Sequence, residues 1–125
     1  MPLDILIIDD STAIRKVLQR VLRQTKLPIA KVLEAGNGSE ALSVLAQNRV
    51  GLILSDLNMP VMDGLQLLAA VKANEAWKEV PFFMITTEGS QAKVMEAIRL
   101  GATGYVLKPF YAEQLEEKLT AALLT

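Results

Sequence analysis

The sequence predicts an α/β fold in which a parallel sheet of five strands is flanked by five helices. Short apolar runs alternate with longer segments of helical period along the whole chain, the pattern of repeated βα units. The apolar runs are nearly continuous rather than alternating, as in strands buried on both faces. Four of the five runs end in residues able to do chemistry: Asp9-Asp10, Asp56, Thr86 and Lys108.

Ile5–Ile8 is a β-branched, apolar run and reads as a buried strand. Ser11 or Thr12 can cap the helix that follows. Its apolar stripe is Ile14, Val17, Leu18, Val21 and Leu22. Arg15, Lys16, Gln19, Arg20 and Arg23 take the other face, expected to be solvated, and Pro28 ends the segment. Lys31–Ala35 is a weaker strand, expected near an edge. Asn37 with Glu40 has the spacing of a capping box. Ala41, Leu42 and Leu45 form a narrow stripe on the second helix, which runs to about Asn48.

Gly51 opens the most informative stretch, Leu52–Gly64, LILSDLNMPVMDG. Leu52-Ile53-Leu54 is a short buried strand, followed by Ser55, Asp56, Asn58, Pro60 and the turn pair Asp63-Gly64. The third helix carries Leu65, Leu68 and Val71 inward. Trp77, the only tryptophan, is expected to cover the core beside Pro81. Val80–Thr86 is the fourth strand and ends in Thr86, Thr87 and Glu88. Ser90 can cap a fourth helix with Val94, Ala97 and Ile98 inward, stopped by Gly101. Gln91, Met95 and Arg99 then share its outer face. Gly104–Leu107 is the fifth strand, ending in Lys108-Pro109. The last helix points Leu115, Leu119, Ala122 and Leu123 inward and Glu113, Glu116, Glu117 and Lys118 outward.

With 125 residues and half of them apolar (51%), the chain is expected to form one domain, 1–125, with a single core. Its 13 basic and 14 acidic side chains leave a net charge of −1, which argues against nucleic-acid binding. The absence of cysteine and histidine excludes disulfide, thiolate and imidazole chemistry. Met1–Ile8 does not read as a signal peptide, because Asp4 interrupts it and Asp9-Asp10 follows. No uncharged run is long enough to span a bilayer, so no membrane insertion and a cytoplasmic location are expected.

In a parallel sheet all carboxyl ends lie along one edge, where chemistry gathers. Asp9, Asp10, Asp56, Thr86 and Lys108 are therefore expected to be neighbours. Carboxylates brought together repel unless a cation sits among them. Magnesium suits a site of one or two carboxylates, a carbonyl and retained waters. Lys108 is a mobile charge for phosphate oxygens, and the Thr86 hydroxyl can meet the same oxygens. A carboxylate can attack phosphorus to give an aspartyl phosphate. Taken singly, each of these residues has a bland structural use, such as a cap, a strand end or a solvated charge; their joint occurrence at the strand ends points to a site.

The runs IIDDS (Ile7–Ser11), LILSDLNMPVMDG (Leu52–Gly64), MITTE (Met84–Glu88) and GYVLKPF (Gly104–Phe110) resemble receiver domains of two-component response regulators, in particular the stand-alone chemotaxis type. The resemblance covers the full chain and implies the strand order 2-1-3-4-5. It implies Asp56 as phosphoacceptor and magnesium held by Asp10 and Asp56 carboxylates, the Asn58 carbonyl and Asp9 largely through water. Thr86 and Lys108 would hold the phosphoryl oxygens, with a cis Lys108-Pro109 bond. Tyr105 matches the aromatic residue that turns inward when Thr86 moves, and Met95 and Arg99 fall on the output face.

Two positions depart from the family pattern. Thr87 replaces a smaller residue, which implies narrower access to the phosphoryl group. Tyr111 replaces a threonine that caps the last helix.

The expected function is a phosphorylation-driven switch. Its partners are a sensor histidine kinase as phosphodonor and a downstream protein target, and a monomer is expected. It is not expected to be an enzyme beyond catalysing its own phosphorylation and dephosphorylation. The alternative is a phosphatase or phosphotransferase working through an aspartyl phosphate. Enzymes of the haloacid dehalogenase type want an acid two residues after the nucleophile, where Asn58 stands, and a lid insertion. A flavin module would need a phosphate-cradling loop where Asp9-Asp10 lies.

Overall fold

The computed structural model of the chain describes residues 3–87 and 90–123; Glu88, the last residue of the MITTE run, lies outside them. The strands are β1 (Leu3–Ile8), β2 (Ile29–Ala35), β3 (Leu52–Ser55), β4 (Phe82–Thr86) and β5 (Gly104–Leu107). The helices are α1 (Thr12–Arg23), α2 (Gly38–Gln47), α3 (Gly64–Lys72), α4 (Gln91–Arg99) and α5 (Ala112–Leu123). All strand pairs are parallel, in the order β2-β1-β3-β4-β5. The weak strand β2 is at one edge, as its composition predicts. It starts two residues earlier than its apolar run, because Ile29 pairs with Leu3.

The period-two alternation of side chains divides the core. Leu6, Ile8, Ile53, Phe82 and Met84 face α2, α3 and α4, meeting Ala41, Leu45, Leu68, Val71 and Ala97. Ile5, Ile7, Leu52, Leu54, Phe83 and Ile85 face α1 and α5, meeting Leu18, Leu22, Leu115 and Leu119. Complete burial of such a side chain stabilises by about 1.5–3 kcal/mol. The strands that carry Asp9 and Asp56 are thus among the most firmly seated parts of the molecule. Trp77 packs on the α2/α3 side of the core, as expected.

Local chemistry sets the helix ends. Ser11, Asn37, Asp63 and Ser90 are the N-caps of α1 to α4. Asn37 accepts from the Glu40 N–H, but Glu40 reaches back to the Gly36 N–H rather than to Asn37. The reciprocal capping box is instead at α3, where Asp63 and Gln66 each take the other's backbone N–H at 2.8 and 3.0 Å. Gly101, with φ of 105°, ends α4 in a Schellman motif: Ala102 N–H donates to Ala97 and Gly101 N–H to Ile98. At α5, Tyr111 supplies no cap, and the Gln114 side chain takes its N–H at 3.0 Å.

Three side chains depart from the helical stripes read in the sequence. Val17 is 46% exposed, because α1 rests on the sheet through Leu18 and Leu22 and leaves the rim of its stripe open. Ile98 is 48% exposed. The contact of α4 with the sheet passes through Ala97, and the next residue lies about 100° further round the helix. Arg15, assigned to the solvated face, has a side chain only 16% exposed.

Val61 occupies the left-handed region, with φ of 69°, and the Met62 N–H donates across it to the Pro60 carbonyl at 2.7 Å. This is a γ-turn in its rare, strained hand, around a β-branched residue. Val61 is 81% exposed, so it has little packing to lose. Val61→Asn is therefore expected to stabilise the protein by about 1 kcal/mol, read as a rise of a few degrees in Tm by calorimetry.

Candidate functional site

The site lies at the carboxyl edge of the sheet, and the ladder itself places its residues. One hydrogen bond beyond each strand holds the next residue to its neighbour: Asp9 N–H to Ala35 O (3.1 Å), Asp56 N–H to Ile8 O (2.8 Å) and Lys108 N–H to Thr86 O (2.9 Å). The β3–α3 loop is pulled in close behind Asp56. Gly64 N–H donates to Leu57 O at 2.8 Å, and a Cβ on Gly64 would collide with the Asp56 carbonyl. Gly64 is thus required by a close approach of backbone.

Lys108 Nζ donates to Asp9 Oδ2 at 2.9 Å and stands 3.8 Å from Asp56 Oδ2. Asp9 Oδ1 accepts the Ser11 N–H at 2.9 Å. Asp56 Oδ1 accepts the Leu57 N–H at 2.7 Å, which leaves Oδ2 as the oxygen turned toward Lys108. Asp9 and Thr86 are buried, Asp56 is half-buried and Asp10 is exposed. Desolvation pushes the Asp56 carboxyl above its ordinary range, and Asp9 adds to this. Lys108, the Thr86 hydroxyl and the Leu57 N–H oppose it without cancelling it.

Carboxylate oxygens of Asp9, Asp10 and Asp56 come within 4.8 Å of one another. This hard-oxygen donor set fits a divalent cation such as magnesium. Asn58 is exposed, two residues beyond Asp56 in the same loop. Thr87 is exposed and lines, with Lys108, an apolar groove between Ile14, Val17 and Phe110. The peptide bond Lys108-Pro109 is cis. The residues expected to form an output face lie elsewhere. Met95 is 52% exposed and Arg99 is exposed on α4. Tyr105 is half-buried on β5 against the α2/α3 side of the core and lines a cleft with Lys118 of α5.

The sequence matches the response regulator receiver domain family over residues 5–120. The chain belongs to that family. Among its relatives, the receiver domain is 40% identical to the chemotaxis protein CheY1 of Helicobacter pylori, covering 97% of each chain. Among solved structures, that of the chemotaxis response regulator CheY4 of Vibrio cholerae is 36% identical, with a TM-score of 0.86 over 98% of this chain and 99% of that one. The phosphorylated cyanobacterial phytochrome response regulator RcpA is 26% identical, with a TM-score of 0.82 over 97% and 91%. The receiver domain is thus CheY-like throughout, and among its described residues no helix is long and apolar enough to cross a membrane.

Arg15 is the site neighbour that sequence reasoning missed. It bonds the Asp9 carbonyl and Glu34, but its spacing on α1 matches the solvated face. The order Asp63-x-x-Gln66 also carries the spacing of the α3 capping box, which the turn pair Asp63-Gly64 by itself does not show.

The raised affinity of Asp56 for its proton has a stability consequence. A carboxyl whose folded value lies above the unfolded value of 3.8 favours the fold fully below that value. The benefit is lost as pH rises through the folded value, and the ionised carboxylate then weighs against the fold. Asp56→Asn is therefore expected to melt higher than wild type at pH 7 in chelator. The gap should close as pH falls below 4, in a pH series of thermal melts.

Proposed function

We propose that this receiver domain is a phosphorylation switch in which Asp56 accepts a phosphoryl group from the phosphohistidine of a sensor kinase. The observation that carries this reading is the setting of Asp56, with one oxygen held by Leu57 N–H and the other turned to Lys108 beside Thr86. Asp56 Oδ2 attacks phosphorus in line, a P–O bond forms, and the donor's P–N bond breaks as histidine departs. Asp9, Asp10 and Asp56, with the Asn58 carbonyl, would hold magnesium. Bound there, it neutralises charge on the phosphoryl oxygens. Lys108 can swing its ammonium from Asp9 toward the new oxygens, and the Thr86 hydroxyl can follow. The existence of a phosphorylated form of the related RcpA supports the same chemistry here.

Movement of Thr86 would open space for Tyr105, which lies on the neighbouring strand β5, to turn inward. Met95, Arg99, Tyr105 and Lys118 would then present a changed face to a downstream protein. The relatives named for chemotaxis favour a target in that signalling. The domain would act in the cytoplasm as a monomer. The domain would turn over only its own phosphoryl group. A phosphatase of the haloacid dehalogenase type is disfavoured by Asn58 at the second-acid position. The segment from Asp56 to Asp63, between β3 and α3, is also too short for a lid.

Wild type incubated with acetyl phosphate and magnesium is expected to gain one phosphoryl group by mass spectrometry, and Asp56→Asn to gain none. Labelling of the mutant at the wild-type level overturns the assignment of Asp56.

Tyr105→Ala is expected to keep its labelling. It should lose most of the change in hydrogen exchange that a beryllium fluoride mimic produces in α4 and β5 of wild type. An undiminished change in the mutant would remove Tyr105 from the switch.

A further inference from the structure

Arg15 leaves α1 on what its sequence position marks as the outer face, yet its side chain is only 16% exposed. Its three nitrogens are spread over three partners. Nε donates to Glu34 Oε1 on β2 at 2.9 Å, Nη1 to the Asp9 carbonyl at 2.6 Å and Nη2 to Thr12 Oγ1 at 3.2 Å. The hydrogen bond from Arg15 is the largest cause holding the Glu34 carboxyl below its ordinary range, and Gln19 adds a second. The guanidinium is therefore braced from β2 rather than free in solvent.

Its contact with Asp9 is with the main chain. The other polar atoms of Asp9 are already engaged: N–H with Ala35 O, Oδ1 with Ser11 N–H and Oδ2 with Lys108. The carbonyl that Arg15 holds belongs to the peptide joining Asp9 to Asp10. Because that peptide is planar, fixing its oxygen fixes the direction in which the Asp10 Cα departs. Asp10 is exposed, so packing does little to aim its carboxylate, which is one of the three that converge.

We propose that Arg15 is a positioning residue for the cation site: braced by Glu34, it sets the Asp9-Asp10 peptide plane and so aims the Asp10 carboxylate. This role rests on the reading of Asp9, Asp10 and Asp56 as a magnesium site. It makes a prediction opposite in sign to simple electrostatics. Removing a positive charge near a cation site tightens cation binding by Coulomb's law. Removing a group that orients a ligand loosens it, by about tenfold or more where the orienting contact is direct.

The test is calorimetric titration of the full chain with magnesium chloride, comparing wild type with Arg15→Met and checking each by thermal melt. Magnesium binding about tenfold weaker in Arg15→Met supports the proposal. Unchanged or tighter binding overturns it, even with a lowered Tm, because a purely structural arginine would move only the melt. If Arg15→Met does not fold, Arg15→Lys decides. It keeps the charge but lacks the fork that spans Glu34 and the Asp9 carbonyl. Weaker binding in that variant supports the role, and wild-type binding overturns it. A wild-type chain that binds no magnesium overturns the cation site itself and this role with it, an outcome distinct from equal binding by wild type and variant.

Discussion

The ion pair between Lys108 and Asp9 is the interaction on which the site depends. A parallel sheet brings its carboxyl ends to one edge, and here that edge gathers three carboxylates. Left uncompensated, they would repel one another and favour protonation or local opening. Lys108 comes from β5, three strand spacings from β1, or roughly 14 Å between strand axes. Its long stem brings Nζ to 2.9 Å from Asp9 Oδ2. Both side chains are largely shielded, at 17% and 6% exposure. A buried pair of this kind is weak evidence for added stability, but breaking it leaves a stranded charge. Its value is to hold the acidic edge together while leaving Asp56 only partly neutralised.

That partial neutralisation matters chemically. Burial raises the proton affinity of Asp56, and Lys108 at 3.8 Å opposes burial without overcoming it. A carboxylate kept in this balance is less satisfied by its surroundings than one in a full salt bridge. It gains from any additional positive charge, whether a bound cation or a lysine drawn closer. Asp9 differs from it at the same sheet edge, because its polar atoms are all engaged.

The loop behind Asp56 shows how such a position is enforced. Gly64 permits an approach that a Cβ would block, the Asp63–Gln66 box fixes where α3 begins, and Val61 is held at positive φ just before the box. Strain of that kind persists only where the surroundings over-determine the backbone. Here the surroundings include the bonds of Gly64 to Leu57 and of Met62 to Gly38. The α4 side is built differently. α4 buries Ala97 and leaves Met95 and Ile98 open, so it is only lightly attached to the sheet and suited to adjustment.

The sequence alone determined the strands, the helices and the convergence of Asp9, Asp10, Asp56, Thr86 and Lys108, because apolar periodicity sets element type and a parallel sheet aligns all carboxyl ends. Cap residues at Ser11, Asn37 and Ser90 were legible for the same reason, since capping depends on neighbours in the chain. The tertiary structure decided what depends on neighbours distant in the chain. It turned Ile98 and Val17 outward, because helix spacing defines a stripe but not which part of the stripe meets the sheet. It drew Arg15 inward, because only the fold places Glu34 of β2 and the Asp9 carbonyl within reach of one guanidinium. It also gave Lys108 to Asp9 rather than to Asp56, a choice between two acids that strand order leaves open and that side-chain distance settles.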